Sequence, residues 1–189
     1  MAKQIHYLMV ATHLPSDSEL HFFKTREEAQ SEFQKRTQPL LVIEGLEEDE
    51  DYYTTDNGIR FYSGTNEELS AELGDVDHYF EVNTVEVDDD VECYVADFSE
   101  WVDESVIKFY NKQDAIKVYN HNVDGSIVIQ NEMCCGEPVN RQNQNTWESE
   151  EEGTMFMESD NEDGSTDAFF GFSDVYFTYR LGKIDLTKQ

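Results

Sequence analysis

Basic residues, cysteine, proline and long apolar runs are all scarce in this chain, and each scarcity narrows what it can do. Thirteen Lys and Arg stand against 42 Asp and Glu, a formal charge of −29. A field of that sign opposes direct binding to DNA, RNA or an anionic membrane, and it selects cations or basic surfaces as partners. Three cysteines, Cys93 and the adjacent Cys134 and Cys135, give no disulfide framework and suit a reducing compartment. No stretch reaches ~18 consecutive apolar residues, and the opening "MAKQIHYLMVATHLPSD" reads as neither a signal peptide nor a span. Cytoplasmic residence is therefore expected.

Motifs of chemistry are missing too. The five histidines (His6, His13, His21, His78 and His121) have no H-E-x-x-H spacing. Adjacent cysteines are not the C-x-x-C of a zinc site, even with Cys93 and His121 in reach. The stretch "SDNEDGSTD", Ser159 to Asp167, looks like a calcium loop. With Gly164 at its sixth position, however, Phe170 falls at the twelfth, where a bidentate Glu is required. There is no nucleophile elbow, phosphate-cradling loop or dinucleotide fingerprint. Paired carboxylates abound, but their abundance removes any specificity for acid–base catalysis. The expectation is no enzyme, no cofactor and no metal.

What is present argues for a folded chain. The sequence is 38% hydrophobic and 13% aromatic, with 12 Phe and 10 Tyr, whereas a solvating acidic tail carries few aromatics. Its 189 residues suffice for one large domain or two small ones.

One element recurs. "FKTREEAQSEF" (Phe23 to Phe33) and "FYNKQDAIKVY" (Phe109 to Tyr119) share the pattern F-x-[TN]-[RK]-x-[ED]-A-x-x-x-[FY]. Thr25 with Glu28, and Asn111 with Asp114, fit an N-cap and a carboxylate three residues on. Ala29 and Phe33, like Ala115 and Tyr119, are spaced to share one helix face. Upstream, "HYLMVA" and "ECYVAD" read as first strands, and "ELHFF" and "SVIKF" as second strands. Downstream, "HYFEVNTVEV" resembles "VYFTYRLGKIDL". The fold class expected is α+β and strand-rich. It would be two tandem β-β-α-β units from an internal duplication, each an antiparallel sheet with a short packed helix. The units are 1–89 and 90–189, the second with a polar insertion around 136–166. "TNEELSAELG" (Thr65 to Gly74) opens with a capping box and reads as a two-turn helix. Asn-Gly at Gly58 and Asp-Gly at Gly125 read as hairpin signals.

The charge is uneven. From Thr37 to Ile107 the only basic residue is Arg60, while that span holds 22 Asp and Glu, and from Gln142 to Tyr179 there is none. The bland reading is a solvated face, and its strongest form is adaptation to high salt. Against that, the chain is rich in Asn, Gln, Phe, Tyr and Ile rather than small residues. The functional reading is imitation of nucleic acid. A charge of −29 equals the phosphates of about 15 base pairs, roughly 50 Å of duplex. Two globules of ~95 residues in a row would span on the order of 60 Å.

In charge, size and lack of catalytic motifs the chain resembles the acidic DNA-mimic proteins by which phages and mobile elements disarm host restriction and other defence systems. That resemblance implies a cytoplasmic inhibitor occupying the nucleic-acid-binding surface of a basic host protein or complex. The candidate contact residues are Glu47, Glu48, Asp49, Glu50, Asp51, Asp88, Asp89, Asp90, Asp97, Glu100, Asp103, Glu104, Glu148, Glu150, Glu151 and Glu152. They would meet the arginines and lysines that otherwise hold phosphates. Tyr52, Tyr53 and Tyr62 would fill a core beneath such acids or add apolar contacts. The alternatives are an immunity- or antitoxin-like protein with aromatic hot spots such as Trp101 or Tyr110, and an acidic structural or virion-associated protein.

Overall fold

A computed structural model describes residues 2–41, 47–49, 52–54, 59–63, 69–73, 78–99, 105–133, 138–142, 154–172 and 175–186. The protein is α+β, and the described residues form two antiparallel sheets and two helices. It divides into two compact units, Met1–His13 with Asp17–Asp89 and Asp185–Gln189, and Leu14–Ser16 with Asp90–Ile184.

The first unit opens with β1 (Ala2–Thr12), a short 3-10 turn at Pro15–Asp17, and β2 (Glu19–Phe23). Helix α1 (Arg26–Leu41) follows, then β3 (Glu47–Asp49), β4 (Tyr52–Thr54), β5 (Ile59–Ser63), β6 (Leu69–Leu73) and β7 (His78–Asp88). The sheet order is β2-β1-β7-β6-β5-β4-β3. The last long strand thus returns beside the first, pairing Leu8 with Val82 and Ala2 with Asp88. From Ile5 to Thr12 every residue of β1 is buried, so both faces of this strand are covered.

Helix α1 starts where its cap dictates. The Glu28 N–H donates to Thr25 Oγ1 at 3.2 Å, and Glu28 Oε2 accepts from the Thr25 N–H at 3.2 Å and the Lys24 N–H at 3.0 Å. Three otherwise orphaned amides at the helix start are satisfied this way. Ala29, Phe33 and Thr37 form its buried stripe at i, i+4 spacing. The buried Thr37 hydroxyl donates to the Phe33 carbonyl at 2.8 Å, which satisfies this polar side chain inside the fold.

The second unit holds β8 (Cys93–Ser99), β9 (Val106–Tyr110), α2 (Lys112–Met133), β10 (Thr154–Asp160), β11 (Thr166–Phe172) and β12 (Val175–Lys183). Its sheet order is β10-β11-β12-β8-β9. Again a hairpin precedes a helix, and the last strand returns beside the first, pairing Val95 with Leu181. Beneath α2 the core is Cys93, Val95, Ala115, Tyr119, Val123, Val139, Phe156, Ala168 and Phe170. Phe170 stacks on Phe177 with centroids 5.0 Å apart and meets Phe156 at 4.9 Å. Each such ring adds about 1.5–3 kcal/mol by burial alone. Gly182 is required by close packing, since a Cβ there would collide with the Tyr94 ring and hydroxyl.

Several expectations are corrected. Leu69–Leu73, expected in a helix, is β6, which pairs with β5 on one side and β7 on the other. Two ladders outweigh a local capping signal. Gly125 lies inside α2 rather than in a hairpin, because the buried positions Ala115, Tyr119, Val123, Ser126 and Gln130 keep helical spacing through it. The helices, expected to be short, span 16 and 22 residues. The stretch 136–166, expected as a polar insertion, contains β10 and Val139, which belongs to the core. The Asn57-Gly58 hairpin signal sits between β4 and β5, which pair antiparallel with Thr54 opposite Arg60; the turn itself lies outside the described residues.

Candidate binding surfaces

Exposed carboxylates lie along the end of β7 in the first unit and at the start of the second. On β7, Thr84, Glu86 and Asp88 are exposed at alternate positions, so two carboxylates point to one side about 7 Å apart. Across the ladder from them stand Gln4 and Ala2, neither of them basic. Asp89 and Asp90 follow in an exposed turn, and Glu92 is exposed as well.

Five of the described basic residues, Lys35, Arg36, Lys117, Arg141 and Arg180, pair with carboxylates, while Lys3, Lys24, Lys108, Lys112 and Lys183 are exposed, Lys3 reaching the Asp89 carbonyl at 3.3 Å. Arg36 Nε donates to Glu32 at 2.9 Å and its Nη1 to Glu19 at 3.0 Å, while Lys35 reaches Glu32 at 3.1 Å. These bonds hold the Glu32 carboxyl below its ordinary range. Burial pushes Glu19 upward, but hydrogen bonds from His21 and Arg36 outweigh it and leave that carboxyl lowered. Arg141 Nη1 donates to Glu158 Oε1 at 2.9 Å and its Nε to Asp124 at 3.1 Å. The Tyr119 hydroxyl donates to the same Glu158 oxygen at 3.0 Å. Burial first, and then that carboxylate, keep the Tyr119 phenol protonated far above its ordinary range.

The candidate acids fare differently. Glu47, Glu48 and Asp49 form β3, the edge strand of the first sheet, opposite Thr54, Tyr53 and Tyr52. Asp88, Asp89 and Asp90 are exposed. Glu50, Asp51, Glu100, Asp103, Glu104, Glu148, Glu150, Glu151 and Glu152 lie outside the described residues, as do Trp101, Cys134 and Cys135. Asp97 departs from the rest. It is half-buried on β8 between Val106 and Tyr179, and burial pushes its carboxyl up to about 6 against the pull of Lys108. Tyr52 pairs with Tyr62 and Tyr53 with Phe61 across the β4–β5 ladder. Tyr110 packs against the core of the second unit.

The calcium-like stretch is a turn that satisfies itself. Asp163 Oδ1 accepts from the Ser165 N–H at 2.9 Å and hydroxyl at 2.7 Å, and Asp160 accepts from the Thr166 hydroxyl at 2.7 Å. Gly164 supplies the positive φ, 85°, that closes it. Among the described residues no group of three or more His, Cys, Asp or Glu is placed to hold a metal. Cys93 is buried, and burial followed by nearby Glu92 pushes its thiol up, which favours the thiol over the nucleophilic thiolate. None of the described helices is long and apolar enough to cross a membrane.

Sequence reasoning missed a second surface, on α2. Ile116, Val128, Ile129 and Met133 are exposed large hydrophobics on this one helix, Met133 at 72%. The available signal was that "IVIQNEM" carries more apolar residues than the buried stripe of a helix needs.

No family model, curated protein or solved structure matches the chain.

Proposed function

We propose that the protein is an acidic inhibitor of the DNA-mimic type, which covers the nucleic-acid-binding surface of a basic host protein. The observation that carries the reading is the imbalance in the described surface. Glu86, Asp88, Asp89, Asp90 and Glu92 are exposed, while Arg36, Arg141 and Arg180 are bound to carboxylates of their own unit. Such a surface offers carboxylates at spacings set by a strand, and cationic side chains of a phosphate-binding groove would pair with them. Masking of phosphate-binding Arg and Lys needs no catalytic group, consistent with the absence of catalytic motifs.

The reading includes an origin by duplication. Its support is the shared order β2-β1-β7-β6-β5 and β9-β8-β12-β11-β10. Further support comes from the helix stripes, in which Ala29, Phe33 and Thr37 correspond to Ala115, Tyr119 and Val123, all buried. Hairpin register sets His6 opposite Phe23 and Tyr94 opposite Phe109. The matching first strands thus align His6 with Tyr94, two residues beyond the sequence alignment.

The test is capture from bacterial lysate at low salt, with elution by duplex DNA and by a salt gradient. One nuclease, helicase or defence complex released by both is the expected result, with binding that weakens steeply as salt rises. Recovery of only ribosomal and other basic proteins in bulk, or capture indifferent to salt, would overturn it.

A further inference from the structure

We propose that the outer face of α2's C-terminal half is a docking site for an amphipathic basic helix. Two neighbouring rows run along this face at i, i+4 spacing. One is His121, Gly125, Ile129 and Met133; the other is Asp124, Val128 and Glu132, and all seven are exposed. Ile129 and Met133 therefore lie on the flank of the helix, beside a row that carries Val128 between Asp124 and Glu132. Ile129 is 53% exposed, Val128 56% and Met133 72%, far more than an amphipathic helix leaves out when its apolar side chains all face its own core.

The fold explains why these side chains are bare. Helix α2 begins next to Tyr110, which pairs with Cys93 at the start of β8. Its 22 residues rise about 33 Å, whereas the seven residues of β8 extend about 23 Å. The last turns therefore run on past the end of β8. There the inner side is closed by Val139, whose N–H and carbonyl are both held by the Asn131 side chain at 2.8 and 2.9 Å. That closure buries Gln130 and leaves the outer rows uncovered. Gly125 adds a shallow notch, since nothing lies within 4 Å of where its Cβ would be.

Charge selects the occupant. Between Lys117 and Arg141 the sequence has no Lys or Arg, and Asp124 and Glu132 lie in the row beside Ile129 and Met133. Asp124 engages Arg141 through one oxygen yet keeps 67% of its side chain exposed. A second copy of this chain would bring another −29 against the same face, which opposes self-association. A partner helix with Leu, Ile or Met along one face and Lys or Arg beside it satisfies both rows. Such docking needs only the sign of the charge and the exposed apolar side chains, and it is independent of mimicry of nucleic acid.

The experiment uses the full chain and two synthetic peptides of about 20 residues. One is a Leu- and Lys-based amphipathic helix. The other has the same charge with Ser in place of every Leu. Titration followed by fluorescence anisotropy near physiological salt should show tight binding of the first and weak binding of the second. The double variant Ile129→Ser/Met133→Ser should lose at least about tenfold in affinity for the amphipathic peptide, whereas Ile129→Leu should not. Asp124→Asn with Glu132→Gln should flatten the salt dependence. Three results would overturn the proposal: equal binding of both peptides, unchanged binding by the double variant, or a dimer in solution that the double variant splits. Equal binding of both peptides would leave the acidic-inhibitor reading standing, so the two failures are distinguishable.

Discussion

Arg180 holds Asp167 across the β11–β12 ladder through two parallel bonds, Nε to Oδ1 and Nη2 to Oδ2, each 2.7 Å. Both side chains are 11% exposed. The guanidinium also sits 5.3 Å from the Phe98 ring centre, and its Nη2 donates to the Ser16 carbonyl at 3.2 Å. Such a pair is costly to desolvate and strongly interdependent. Asp167→Ala should destabilise the protein by about 3–5 kcal/mol, because it strands a buried cation. Arg180→Met combined with Asp167→Leu should recover most of that loss. Urea unfolding of the three proteins checks it; equal losses in the single and double variants would contradict this account.

The two helix caps should prove energetically alike despite different residues. Thr25→Ala removes the acceptor for the Glu28 N–H, and Asn111→Ala removes the acceptor for the Asp114 N–H at 3.0 Å. Each should cost about 1 kcal/mol in thermal or denaturant unfolding. The second has a spectroscopic signature as well. Lys117 and then Asn111 hold the Asp114 carboxyl below its usual range. Asn111→Ala should therefore raise the Asp114 titration midpoint, read by NMR. An unmoved midpoint would mean that the Asn111 amide contributes nothing to it.

The hairpins, the helix starts and the returning strands were legible because each rests on a local signal: alternation in "ELHFF", a cap at Thr25 or Asn111, and aromatic punctuation in "HYF" and "VYF". Where the sequence misled, a nonlocal contact had overridden a local one. Thr65 and Glu68 form a sound capping box on paper, yet Leu69–Leu73 gains a ladder on either side as a strand. Asp124-Gly125 is a sound turn signal, yet Tyr119, Val123 and Ser126 already commit the segment to a helix face. Asp97 looked like any other surface acid, because nothing in "VADFS" announces that Tyr179 and Val106 will flank it.

Gly125 offers a direct gain in stability. It lies in the interior of α2, has no positive φ, and a Cβ there would meet nothing within 4 Å. Glycine in an exposed helix interior is about 0.8–1 kcal/mol worse than alanine. Gly125→Ala should therefore raise stability by roughly that amount in urea unfolding. A loss instead would mean that the notch, rather than the helix, sets the requirement at this position.

Asp97 should make the protein less stable as pH rises. Its carboxyl titrates in the fold at about 6, with burial as the largest cause and Lys108 opposing it. In the unfolded chain it titrates at about 4. Between these values the native state binds more protons than the unfolded state, so the slope of unfolding free energy with pH is negative. The contribution is full below the unfolded value and is lost as pH passes the folded one, a change of about 3 kcal/mol. Asp97→Asn keeps the shape and abolishes the charge. Relative to the parent it should gain about 3 kcal/mol at pH 8 and almost nothing near pH 4. Taking the difference between the two proteins at each pH cancels the titration of every other carboxylate, which in so acidic a chain would otherwise swamp the effect. A difference that stays flat across this window would show that the Asp97 carboxyl is hydrated in the fold as freely as in the unfolded chain.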